Sequence, residues 1–136
     1  MNFKVLGIEH IGIATNDNSK KLSLFFERIL KLPLKKEIVK NQKVLTEIFE
    51  TGNGKIELLS ATEESSVINK FLNKKGDSIH HLAIRVDNIF NAIEYLQENG
   101  IELINNTPQD GADNMIIIFI HPNSTPGLLL ELCQNK

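Results

Sequence analysis

The sequence lacks tryptophan altogether and contains a single cysteine, Cys133. One thiol cannot close a disulfide within the chain, and it cannot build a cysteine-rich zinc site. A lone thiol suits a reducing compartment. Because aromatic residues make up only 6% of the chain, we expect an aliphatic core built from isoleucine, leucine and valine.

Neither an excess of one charge nor a long apolar run is present. The formal net charge is -2 and the pI is about 6.1, so no basic surface favours nucleic acid or anionic lipid as a partner. No apolar run approaches the roughly 18–20 residues that a membrane-spanning helix needs. The first apolar stretch is too short for a signal peptide and is followed at once by Glu9 and His10. We therefore predict a cytoplasmic protein that binds neither nucleic acid nor membranes.

A chain of 136 residues with 41% hydrophobic and 24% charged residues is typical of a globular protein with one domain. Its apolar pattern begins with a strand predicted at 6–15. Asp17-Asn18-Ser19 then supplies the N-cap of a helix, which has an apolar stripe at spacing i, i+3, i+4, i+7. The members of this stripe are Leu22, Phe25, Phe26 and Ile29.

Turn signals divide the rest of the chain. The Asn-Gly pair in Gly52-Asn53-Gly54 predicts a hairpin between extended segments at 44–51 and 55–60. A short amphipathic helix is predicted around 67–72. The pattern then starts again, with a strand, a helix and two further strands predicted at 79–86, 89–96, 115–120 and 128–133.

The two halves of the chain repeat one unit. His10-Ile11-Gly12-Ile13 matches His81-Leu82-Ala83-Ile84, 71 residues later, and Ile56-Glu57-Leu58 matches Leu130-Glu131-Leu132, 74 residues later. We predict one domain spanning 1–136, made of two βαβββ halves at about 4–62 and 77–134. A short helical linker at about 63–76 joins them. Such small halves should pair into one curved, mixed sheet with helices on its outer face, an α+β fold.

The repeat singles out one histidine and one glutamate in each half. A carboxylate within an apolar strand must be paired or face a polar site, because burying it alone is costly. Two imidazoles and two carboxylates suit one divalent ion such as Co, Mn, Ni or Zn, and they are too rich in nitrogen for Ca or Mg. The predicted metal ligands are His10, Glu57, His81 and Glu131.

These motifs resemble the vicinal oxygen chelate (glyoxalase) superfamily, and within it the methylmalonyl-CoA epimerases. The resemblance covers nearly the whole chain. The His-His pair at His80 and His81 and the His-Pro-x-Ser segment at 121–124 favour the epimerases over other members. The remaining segments that carry it are Glu9-His10-Ile11-Gly12-Ile13-Ala14, Lys55-Ile56-Glu57-Leu58-Leu59 and Gly127-Leu128-Leu129-Leu130-Glu131-Leu132.

The resemblance implies a metal held by the four residues named above and a proton exchange at the carbon between a thioester carbonyl and a carboxylate. Two groups on opposite faces of that carbon must remove and return the proton. We expect Glu131 to be one of them, in addition to its role as a ligand. The family's other glutamate would stand where an ungapped comparison puts Thr46. Glu47, next to it, is the expected second base if a bulge or a one-residue shift turns it inward. The alternatives are His121 and a water held by Thr46.

The sequence leaves other functions open. A glyoxalase I-type lactoylglutathione lyase would use the same ligand types, and a non-catalytic small-molecule-binding protein could share the fold. For the epimerase, the partner is an acyl-CoA, whose phosphates need cations. The lysines that cluster before the hairpin are Lys35, Lys36, Lys40 and Lys43. Exposed strand edges lead us to expect a homodimer.

Overall fold

The computed structural model describes residues 1–16 and 20–136. The predicted N-cap at Asp17-Asn18-Ser19 lies outside the described residues. The chain forms two compact units, which we call the terminal unit (Met1–Glu9 with His81–Lys136) and the central unit (His10–His80). None of the helices in the described part of the chain has the length and apolar character needed to cross a membrane.

Eight strands and three α-helices make up the described chain, which confirms the predicted α+β class. The strands are β1 (Val5–Ala14), β2 (Leu34–Val39), β3 (Val44–Glu50), β4 (Lys55–Ala61), β5 (Ser78–Val86), β6 (Gln109–Asp110), β7 (Met115–Phe119) and β8 (Leu130–Asn135). The helices are α1 (Lys21–Leu24), α2 (Val67–Lys75) and α3 (Ile89–Glu98), with a π-helical turn at Phe25–Ile29 and a 3-10 turn at Lys40–Gln42.

In the central unit the strand order is β2-β3-β4-β1. β1 pairs with β4 in parallel, and the other two pairings are antiparallel. The predicted hairpin between β3 and β4 is confirmed, since Thr51 N–H donates to the Gly54 carbonyl at 3.1 Å. The predicted short helix is also confirmed as α2, whose Ile68 packs on Ala14, Val44 and Leu59.

The first helix differs from its prediction. It changes from α-helix to a π-helical turn, in which Leu30 N–H donates to the Phe25 carbonyl five residues back. The wider turn rotates the later residues away from the stripe that a period of 3.6 predicts. Phe26 packs against Phe49 with ring centroids 5.4 Å apart, whereas Phe25 and Ile29 are exposed.

In the terminal unit the strand order is β5-β8-β7-β6, and only the β5–β8 pairing among these is parallel. One face of these strands packs on α3 through Ile89, Ala92 and Ile93. The other face carries a smaller apolar cluster of Ala83, Met115, Ile117 and Cys133. Because strand residues alternate between faces, His81 and Glu131 belong to the face of this second cluster.

Candidate metal and proton-transfer residues

The central unit brings His10 and Glu57 together on neighbouring strands. Gly12 of β1 lies directly opposite Glu57 of β4, and His10 is two residues before Gly12 on the same face. The Nδ1 atom of His10 is 3.1 Å from Oε2 of Glu57, and both side chains are buried. The parallel pairing of β1 and β4 therefore places a buried imidazole beside a buried carboxylate.

The terminal unit repeats this arrangement with His81 and Glu131. Ala83 of β5 lies opposite Glu131 of β8, and His81 is again two residues before the opposed residue on a parallel strand. The Nε2 atom of His81 is 3.2 Å from Oε2 of Glu131, and both side chains are buried. Phe119 holds the imidazole edge-on, with ring centroids 5.5 Å apart. The sequence repeat is thus also a repeat of local geometry.

The chemistry of these donors fits a divalent ion. Each pair supplies one imidazole nitrogen and one carboxylate oxygen, and all four side chains belong to groups of buried residues able to hold a metal. Mixed nitrogen and oxygen ligands match the transition ions that the sequence predicts. A bound cation would also balance carboxylates that are otherwise costly to bury.

Glu47 does not share a face with Glu57. β3 and β4 pair without interruption from Val44 to Glu50, with Ile48 opposite Glu57 and Thr46 opposite Leu59. The bulge that would turn Glu47 inward is absent from this pairing. Ser23 Oγ donates to Oε2 of Glu47 at 2.9 Å, and Lys36 Nζ is 3.8 Å from the same oxygen. Thr46, which is buried, faces the same side as Glu57.

His121 is part of a turn. Its Nδ1 atom accepts a hydrogen bond from Asn123 N–H at 3.0 Å, and its carbonyl accepts one from Ser124 N–H at 2.9 Å. These bonds fix the segment between β7 and β8 that contains Pro122. His121 therefore has a structural role in this turn.

The four clustered lysines do not form one cationic patch. Lys35 and Lys36 are adjacent in β2 and so point to opposite faces. Lys43 donates to Ser65 Oγ at 2.7 Å and lies 3.6 Å from a Glu63 carboxylate oxygen. Within this cluster, Lys35 is the β2 lysine that shares the face of Glu57.

Sequence analysis missed an ion pair between a buried glutamate and a partly exposed arginine. Glu9 is buried, and its Oε2 atom lies 3.7 Å from Nη1 of Arg85. Arg85 shares the face of His81 because four residues separate them along β5. The signal was present in the sequence, since Glu9 interrupts the same apolar strand as His10.

Comparison with known proteins gives a consistent result. Residues 9–119 match the model of the Glyoxalase/Bleomycin resistance protein/Dioxygenase superfamily. An uncharacterized protein of Bacillus subtilis, YqjC, is 36% identical over 95% of this chain and 92% of its own length. The mitochondrial methylmalonyl-CoA epimerase of Dictyostelium discoideum is 31% identical over 92% of this chain and 76% of its own. The crystal structure of methylmalonyl-CoA epimerase from Mycobacterium tuberculosis superimposes with a TM-score of 0.89 at 32% identity, covering 97% of this chain and 89% of that one.

Proposed function

Because the chain belongs to the glyoxalase/bleomycin resistance protein/dioxygenase superfamily, we propose that it is a metal-dependent methylmalonyl-CoA epimerase. Such an isomerase interconverts the (R) and (S) thioesters by moving one proton. The observation that carries the proposal is the duplicated buried His–Glu pair, present with the same strand geometry in each unit. Relatives named methylmalonyl-CoA epimerase match this chain over most of their length, which supports methylmalonyl-CoA as the substrate.

In this proposal one divalent ion per chain binds His10, Glu57, His81 and Glu131. Cobalt, manganese, nickel and zinc all accept imidazole and carboxylate together. When bound, the ion supplies positive charge that stabilises the developing negative charge on the substrate's thioester oxygen. The pairs His10–Glu57 and His81–Glu131 each support half of this ligand set.

Glu131 also exchanges the substrate proton in this proposal. Its carboxylate takes the proton from the carbon between the thioester carbonyl and the free carboxylate, and its protonated form returns one. A second group must act on the opposite face of that carbon. The position of Glu47, bonded to Ser23 on the other side of β3, gives no support for it in this role.

Turnover of defined substrates tests this function. The purified protein should interconvert the (R) and (S) forms of methylmalonyl-CoA, lose that activity after chelation and regain it with a divalent ion. The glutathione hemithioacetal of methylglyoxal should not be isomerised. Turnover of the hemithioacetal instead would identify a glyoxalase I-type lyase. Tight binding of small molecules without turnover of either substrate would identify a binding protein.

We also propose a homodimer, and we retain the predicted cytoplasmic location. Leu6 and Ile8 share one face of β1 and are both at least half exposed, so this face presents apolar side chains to solvent. A second copy of the chain would cover such a surface. Light scattering at micromolar concentration should give twice the 15.3 kDa chain mass; a monomer mass would contradict the proposal.

A further inference from the structure

Thr46 occupies the position on β3 where the resemblance expects a glutamate base. Its hydroxyl is a poor base, and its side chain is buried on the face of Glu57. If the chain is an epimerase, as proposed above, another group must move the second proton. A neighbouring place for such a group is strand β2, on the same face as Thr46.

Glu37 of β2 occupies that place. It lies directly opposite Thr46 in the antiparallel pairing of β2 with β3. Directly opposed residues of antiparallel strands share a face, with Cβ atoms about 4.5–5.5 Å apart. Thr46 is in turn opposite Leu59, and Leu59 is two residues beyond Glu57 on β4. Glu37 therefore faces the same side as the metal-ligand candidate Glu57.

The Glu37 side chain can extend toward Glu57 because a small side chain lies next to it. From strand spacing and rise, the Cα atoms of Glu37 and Glu57 are about 12 Å apart, two strands and two residues away. Thr46 and Ile48 are the β3 residues between them on this face. Thr46, opposite Glu37, has the shorter side chain, over which the longer Glu37 side chain can extend. Glu37 is half-buried, so it can meet both solvent and a bound molecule.

We propose that Glu37 supplies the second acid–base group. Its carboxylate accepts the proton as the C–H bond breaks, and the electron pair of that bond moves onto the thioester oxygen as an enolate. The protonated carboxyl of Glu131 then delivers a proton to the other face of the carbon, which gives the other epimer. The reverse reaction returns both carboxyl groups to their starting states, and solvent exchange resets them between turnovers.

Deuterium exchange of each epimer, measured separately in D₂O, tests this assignment. The unchanged protein should interconvert the epimers and exchange the proton of both. Glu37→Gln should lower interconversion by about 10²-fold or more, the usual range for loss of a general base. It should still exchange the proton of one epimer, through Glu131, while losing exchange of the other. Metal content should stay unchanged, because Glu37 is not a predicted ligand.

Two comparisons complete the experiment. Glu27→Gln, the same chemical change at an exposed helical position of the central unit, should leave both exchange rates intact. Glu47→Gln tests the competing carboxylate. The assignment would be overturned if Glu47→Gln lost proton exchange of one epimer only while Glu37→Gln kept full activity. Equal loss of both exchanges in Glu37→Gln would also overturn it. No exchange by the unchanged protein would instead refute the proposed epimerase function.

Discussion

Replacing Glu131 by glutamine separates its two proposed roles. Glutamate and glutamine side chains have nearly the same shape, so the buried site should keep its packing. In the unchanged protein His81 lies 3.2 Å from the Glu131 carboxylate. The glutamine would keep one neutral oxygen near His81. The change leaves the side-chain volume almost unaltered, so it creates no cavity. The amide, however, cannot accept a proton at neutral pH.

The expected loss of activity follows from this difference. Removal of a general base lowers rates by about 10²–10⁴-fold, and a 10²-fold loss corresponds to about 2.7 kcal/mol of activation free energy. Metal affinity should weaken only in part, because one negative charge is lost while the oxygen remains. Epimerisation and bound metal should be measured on the same preparation of Glu131→Gln. Full activity in a folded, metal-loaded variant would refute the role of Glu131 in proton transfer.

Two further predictions concern stability. Ile68→Ala should lower the free energy of unfolding by about 2–5 kcal/mol, because Ile68 is only 2% exposed and packs among Ala14, Val44 and Leu59. The control Val67→Ala, at an exposed neighbouring site, should change it by less than about 0.5 kcal/mol. Equal effects of the two changes in chemical denaturation would contradict this account of the α2 contact. Ser66→Ala should lower the free energy of unfolding by about 1 kcal/mol, because Ser66 Oγ accepts a hydrogen bond from Ile68 N–H at 3.3 Å at the start of α2. An unchanged denaturation midpoint would show that this cap contributes nothing.

The repeat and the His–Glu pairs could be predicted from the sequence because each depends on local pattern. A polar residue inside an apolar strand is visible without coordinates, and two copies in the same order mark His10, Glu57, His81 and Glu131. Hairpin chemistry at Asn53 and Gly54 likewise depends on neighbouring residues alone.

The faces of the strands could not be predicted, because they depend on register. One residue separates Thr46 from Glu47, yet it decides which side chain faces Glu57. The predicted βαβββ half implies a strand before β3, but the position of β2 was not predicted. Lys35, Lys36 and Glu37 interrupt its apolar alternation, as charged residues commonly do on an edge strand. Glu37 was missed for this reason. The π-helical turn that exposes Phe25 has no comparable sequence signal.

The stoichiometry of divalent-ion binding tests the central claim most directly. Equilibrium dialysis of the chelator-treated protein against Co²⁺ should give one tightly bound ion per chain. His10→Ala and His81→Ala should each abolish most of that binding, because the proposed site uses both His–Glu pairs for one ion. Two ions per chain, with each variant losing one, would show that the pairs bind metal separately. Full binding in both variants would contradict the ligand set itself.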